Sequence, residues 1–477
     1  MSTHFENIDW QGEFKDKNVD DCYDIFLSQY NDACDKYIPS KTIKSNYQNC
    51  KWMNPVLVAK VKHKNNLWFR NRASGFKNKL LVDEYNKCKT EFKRDVNKAV
   101  RDFEWELASK AKYDPKLLYN YVKSKQKTKS SFVSMKNKNG AIITEPLEIA
   151  NLLNNHFQSV FIKSECDDIP PFDIRSAQNC NTPVFTRELV FMKLQDLKVD
   201  KSIGIDGVSA HVLKGCANIL AFPLSIIFSL SMNSGAVIWK KANVTPLYKK
   251  GSKLDPGNYR PISLTSIVCK IMEKIIRDVM VDHLVTNNLI TTNQHGFVNK
   301  KACVTNLLES MDLMTRALFD KISMDVAYVD FSKAFDLVPH KPLLHKLKSY
   351  GINGPLLAWI QSFLHKRCQR VVMGDYVSLW LEVLSGVPQG SVLGPILFII
   401  FINELADIIQ NPCKMYADDT KIFARLDSPQ DFEKLQIDID NVVKWCQQWL
   451  MSLNVEKCKI MHIGKVNMYT LCQLAMN

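Results

Sequence analysis

The chain has 477 residues, of which 46% are hydrophobic and 23% charged. Those are globular averages, and with only 17 Gly and 18 Pro they exclude a fibre, a low-complexity protein and a wholly disordered chain. The length gives room for roughly three domains of ~150 residues and a large core that needs no disulfide or metal staple.

The formal net charge is +14, and it is unevenly placed. Residues 1–50 carry 5 basic against 9 acidic side chains, and residues 51–150 carry 23 against 10. Two readings of the basic segment stand: a solvated helical surface, or contact with a nucleic acid. Over a hundred residues the second is the expectation. The 14 cysteines include no C-x-x-C pair, and several (Cys216, Cys269, Cys446) lie in apolar stretches. They are expected to be free, in a reducing intracellular compartment. The polar, acidic start (MSTHFENIDW) predicts no signal peptide. The longest apolar runs, 217–230 and 395–402, fall short of the ~20 residues a membrane span needs, so no membrane partner is expected.

In chain order, residues 1–50 are acidic and weakly patterned, with Tyr23, Ile25, Phe26 and Tyr30 marking one helix. From 55 to 112 the spacing predicts long basic helices: Leu81, Tyr85, Cys88, Phe92 and Val96 recur every three to four residues. Residues 123–139 form a Lys/Ser/Asn-rich connection ending in an Asn139-Gly140 turn signal, and 164–182 form a second loop. A denser, more apolar region follows, with no internal repeat. There the pattern predicts helices at 267–284, 343–350, 354–365, 393–405 and 431–450. Strands are predicted at 326–331 and 383–387, and a hairpin at 414–424. The mixture is α+β, with short strands presenting acids at their ends.

Three acids stand out: Asp330 in YVDFSKAFD, and Asp418 and Asp419 in YADD. Each adjoins an apolar run, and a carboxylate at the edge of a core is costly unless paired or bound to a cation. Hard divalent ions such as Mg²⁺ prefer such oxygens, and two ions ~4 Å apart stabilise an in-line phosphoryl displacement. Turn or cap roles for these acids remain open on spacing alone. No G-x-x-x-x-G-K-[ST] loop and no H-E-x-x-H is present. His340 and His345 read as surface or packing residues.

The blocks around the acids shift the balance towards a metal role. YVDFSKAFDLVPH, SGVPQGSVLGPILF and YADDT, in that order, resemble successive polymerase motifs of reverse transcriptases of non-LTR (LINE-type, jockey-like) retrotransposons. Upstream, KSIGIDGVSAHVLK, WKKANVTPLYKKG, NYRPISLTSIVCKIMEKII and QHGF resemble the family's finger motifs. Downstream, WLMSLNVEKCKIMHIG resembles the block closing the palm. The resemblance covers about residues 140–464.

It implies an α+β right-hand polymerase, fingers and palm, behind a basic helical N-terminal extension. The implied division is 1–130 as acidic start and basic connector, 131–230 as an N-terminal fingers extension, and 231–477 as the fingers/palm domain. It implies that Asp330, Asp418 and Asp419 hold two Mg²⁺ ions, with Mn²⁺ as a substitute. Lys249, Lys250 and Arg260 would grip the incoming triphosphate. Val329, Phe331 and the backbone around them would form the nucleotide platform. Phe335 would crowd the sugar 2′-carbon and exclude ribonucleotides, a role compatible with packing in a core. Gln389 would hydrogen-bond near the nucleotide, in a loop whose Gly386 and Gly390 leave room for template and substrate. Lys457 would meet the departing pyrophosphate. Implied partners are template RNA, a DNA primer and dNTPs, in a cytoplasmic ribonucleoprotein and the nucleus.

Relatives of this family usually carry an apurinic-type endonuclease before the polymerase and a thumb after the palm; neither is recognised here, so a partial element is expected. Two alternatives remain open. One is a nucleic-acid-binding relic or domesticated module that no longer polymerises. The other is an RNA-dependent RNA polymerase, against which Phe335 and YADD in place of GDD both argue.

Overall fold

The computed structural model describes residues 1–39, 52–125, 134–137, 139–163 and 169–464. The predicted connection at 123–139 lies largely outside them, as do 164–168 of the second loop. The chain divides into two units, Pro39–Ser131 and the combination of Met1–Ile38 with Phe132–Asn477. The boundaries read from the sequence placed 1–130 together; in the structure the first 38 residues belong instead with the larger unit.

The reason is aromatic. Helix α1 (Val19–Tyr37) carries Val19, Cys22, Tyr23, Phe26, Tyr30 and Ala33 on one buried face. Tyr23 sets its ring against Trp239 at 5.2 Å and donates its hydroxyl to Asp206 at 2.7 Å. Tyr30 accepts from the Ser209 N–H at 2.9 Å.

The smaller unit is helical: α2 (Pro55–Ala73), α3 (Lys79–Ala111) and α4 (Pro115–Lys125). The first two form an antiparallel hairpin, joined along its length by the Lys60–Asp95 ion pair, by Lys64 over the Phe92 ring at 4.9 Å and by the Asn71 amide on the Leu81 carbonyl at 2.9 Å. The apolar stripe from Leu81 to Val96 is therefore the seam. At 100° per residue, Leu80, Lys87, Arg94, Lys98, Arg101 and Trp105 lie on the opposite face, all exposed.

The larger unit continues with α5 (Pro146–Gln158) and α6 (Ala217–Ser234). Helix α6 is by length and composition apolar enough to cross a membrane, which the sequence run of 217–230 did not suggest. Ten of its residues are buried, among them Leu220, Leu224, Ile227 and Phe228, in the main core. Strands β1 (Lys241–Tyr248) and β2 (Tyr259–Leu264) pair antiparallel. They precede α7 (Ile267–Thr286), α8 (Cys303–Phe319) and strand β3 (Ser323–Val329). Next come α9 (His340–Ser349), α10 (Gly354–Leu364), β4 (Arg367–Met373) and α11 (Gly394–Ile402). The hairpin β5 (Cys413–Tyr416) and β6 (Asp419–Leu426), helix α12 (Pro429–Gln448) and strand β7 (Lys459–Ile463) complete it. The strand expected at 383–387 is the shorter Leu381–Val383, and the chain then loops through Gly386.

Two main sheets result. In one, β1 lies between β2 and a parallel β4. The other is fully antiparallel in the order β7-β3-β6-β5. Strand β3 (SMDVAYV) is almost continuously buried because both of its faces are covered. Met324 and Val326 pack with Phe423 and Ala317, while Ala327 and Val329 join the main core with Ile422 and Ala424.

Candidate active site

The register of the antiparallel sheet creates the site. Thr420 pairs with Val329, so the next residues along the two strands, Asp419 and Asp330, come to the same sheet end. Tyr416 pairs with Asp419, which leaves Ala417 and Asp418 as a two-residue turn with Ala417 at φ +55°. A positive φ in the first turn position fits the twist of a hairpin, though alanine adopts it less readily than glycine. Asp418 thus stands beside the other two acids. Its carboxyl is pushed above the usual range by burial first, and then by the charges of Asp419 and Asp330.

The block after α12 fixes Asp330. Its carbonyl accepts from the Asn454 N–H at 2.8 Å, Phe331 bridges to Leu453, and the Ser332 N–H donates to the Ser452 carbonyl at 2.8 Å. Lys457 places its ammonium 2.8 Å from Asp330 Oδ1. Lys249, at the end of β1, is held below the ordinary lysine range by burial and by the charges of Arg260, Lys457 and Lys250, while Asp330 opposes the shift. Arg260 also acts on Asp418. The structure therefore brings three acids and the predicted cations Lys249, Lys250, Arg260 and Lys457 into one electrostatic neighbourhood. Among the described residues, no three carboxylate, imidazole or thiol groups yet converge as a ready-made ion cage.

The remaining predicted residues are placed differently. Phe331 is 3% exposed, its ring edge-on to Trp445 at 6.1 Å, so only its backbone is available to a ligand. In a strand-like segment the neighbour of an outward acid points inward, so at the expected nucleotide platform it is the backbone here, not the ring, that faces outward. Phe335 is half-buried, stacked on Phe398 at 4.4 Å and edge-on to Phe297 at 6.5 Å. Gln389 is already engaged, its amide donating to Asp336 Oδ1 at 2.8 Å. The loop glycines admit other protein backbone rather than visible ligand space: a Cβ on Gly386 (φ +86°) would sit 2.7 Å from the Asp336 Cα, and one on Gly390 (φ +122°) would strike the Ser263 carbonyl. His340 is buried, bonded to the Gly386 carbonyl at 2.9 Å, in line with a packing role.

Sequence reasoning passed over Asp336, which burial raises to about 6 against the pull of Gln389 and Lys333. It also assigned no role to Gln294 within QHGF. The repeated acid in FSKAFD and the lone polar residue in QHGF were the available signals.

The fold thus gathers three acids at one sheet end, under the electrostatic influence of the nearby cations. Residues 247–472 match the reverse transcriptase (RNA-dependent DNA polymerase) family. The protein named "Probable RNA-directed DNA polymerase from transposon BS" of Drosophila melanogaster is 28% identical over 293 residues, 58% of this chain and 32% of that one. The RNA-directed DNA polymerase from mobile element jockey of the same fly is 27% identical over 345 residues, 68% of this chain and 37% of that one. The family match takes in just under half of the chain, which spans about a third of the length of those relatives. Among solved structures, apo telomerase from Candida tropicalis aligns with 49% of this chain and 52% of its own at 12% identity and a TM-score of 0.36, too low for the fold to be read from it.

Proposed function

We propose that the domain is an RNA-directed DNA polymerase that extends a DNA primer on an RNA template. The primer 3′-hydroxyl gives up its proton to solvent as its oxygen bonds to the α-phosphorus of a dNTP, the α–β phosphate bond breaks, and pyrophosphate leaves. The observation that carries this reading is the β3–β6 register, which gathers Asp330, Asp418 and Asp419 at one sheet end. The donor set suits a hard divalent ion: all three are carboxylates, and Asp418, raised by burial and then by the charges of Asp419 and Asp330, stands where a bound cation would stabilise its ionised form. Asp330, Asp418 and Asp419 would hold two Mg²⁺ ions, with Mn²⁺ able to replace them. When bound, such ions supply positive charge to the attacking and leaving oxygens.

Lys249, Lys250 and Arg260 orient and neutralise the triphosphate, with Arg260 suited to a bidentate contact. Lys457, ion-paired to Asp330 at 2.8 Å, is the residue to meet the departing pyrophosphate. Phe335, backed by Phe398, presents a flat wall to the sugar. Gln389 acts through the loop that Asp336 holds.

Primer extension on poly(rA)/oligo(dT) with Mg²⁺ and dTTP tests the reading. Asp330→Asn and Asp418→Asn each remove a charged ligand and should lower the rate by about 10³ or more at unchanged fold. Near-wild-type extension by a folded Asp330→Asn protein would falsify it.

A further inference from the structure

The strands carrying the acids do not hold their turn alone. Segment 293–295 runs beside β5: the Met415 N–H donates to the Asn293 carbonyl at 2.9 Å, and the His295 N–H donates to the Met415 carbonyl at 2.8 Å. Between these bonds lies Gln294, 1% exposed. Its Oε1 accepts two N–H groups, from Ala417 at 2.9 Å and from Gly296 at 2.8 Å. Asn306 adds a bond from its amide to the Met415 carbonyl at 3.2 Å. A Cβ on Gly296 would collide with the Ala417 nitrogen, so glycine is what lets the two backbones meet.

Ala417 is the residue at φ +55°, immediately before Asp418. A non-glycine residue in that region persists when its surroundings over-determine it. Gln294 supplies that constraint: it takes the Ala417 N–H, which would otherwise be buried without a partner. We infer that Gln294 is a positioning residue that locks the Ala417–Asp418 turn and so sets Asp418 against Asp330 for cation binding. The inference rests on the polymerase reading for its consequence, and on the hydrogen bonds above for its cause.

The full chain is compared as wild type, Gln294→Leu and Gln294→Glu. Leu removes the acceptor at similar volume; Glu retains one. Hydrogen–deuterium exchange of the metal-free protein over residues 413–420 should speed up by about tenfold in the Leu variant and return towards wild type in the Glu variant, since a lost bond of ~1.4 kcal/mol is a factor of ten. Mn²⁺ titration followed by electron paramagnetic resonance should show about tenfold weaker binding in the Leu variant. Extension should lose about 10- to 100-fold in kcat with a raised Mg²⁺ requirement, while template affinity by fluorescence anisotropy stays unchanged, because a displacement of ~1 Å costs that much. Should the Leu variant not fold, Gly296→Ala, whose methyl pushes on the same nitrogen, is read by the same measurements.

Unchanged turn exchange or unchanged Mn²⁺ affinity in the Leu variant overturns the inference. If no variant extends, wild type included, the polymerase reading falls, and the exchange and Mn²⁺ comparisons still decide the role of Gln294.

Discussion

Asp336→Asn isolates the electrostatic cost of one buried carboxyl beside the site. In the folded chain burial raises Asp336 from 3.8 to about 6. Between those two values the folded state binds more protons than the unfolded one. The acid form's contribution to stability is therefore complete below about pH 4 and is lost as pH rises through about 6. Two pKa units correspond to nearly 3 kcal/mol at 1.36 kcal/mol per unit, and the residue's partial solvent contact trims this to about 2 kcal/mol. Asparagine keeps an oxygen for the Gln389 amide and cannot ionise. The variant should then exceed wild type by about 2 kcal/mol at pH 7.5 and match it near pH 4. Urea unfolding followed by tryptophan fluorescence at half-unit steps from pH 4 to 8 measures the difference. A gap that does not change with pH, or a wild type that is the more stable at pH 7.5, refutes the assignment of a strained carboxylate here.

Shrinking Phe335 to Val removes the ring stacked on Phe398 and should raise the rNTP/dNTP incorporation ratio. An unchanged ratio in an active variant makes Phe335 a packing residue alone. Neutralising Lys87, Arg94, Lys98 and Arg101 together strips the exposed face of α3 opposite its seam. Single-stranded RNA binding should then lose up to about three units of log–log salt slope, at about 0.7 per phosphate contact. Sequence preference should hold, since phosphate contacts position without specifying; an unaltered slope means that the face is only solvated. The buried Lys346 ammonium lies between Glu404 and the rings of Trp449 (3.6 Å to the ring centre) and Phe401 (4.4 Å). Glu404→Gln, which leaves that charge unpaired, should cost about 3 kcal/mol in urea unfolding, and adding Lys346→Met should restore most of it. A double variant no better than the single one rules out charge burial as the cause.

What the sequence disclosed depended on how local each signal is. Asp330, Asp418 and Asp419 were legible because apolar strand runs end at them and the hairpin spacing is contained within a few residues. The helical stripe from Leu81 to Val96 was legible for the same reason: its period lies within one element. The first 38 residues were under-read because nine acids mask an i, i+3, i+4 series (Val19, Cys22, Tyr23, Phe26, Tyr30, Ala33) that is as regular as any in the chain. The inward turn of the Phe331 ring was also legible, since strand alternation assigns it to the side opposite Asp330. Gln294 and Gln389 are a different matter. Their partners, Ala417 and Asp336, lie 123 and 53 residues away, and an amide carries no pattern that names a distant N–H or carboxylate. Such residues share a physical role: each ties a loop to a residue distant in sequence. Short-range patterning therefore marks the candidate acids, while the bonds that hold the segments around them emerge only once the sheet register is known.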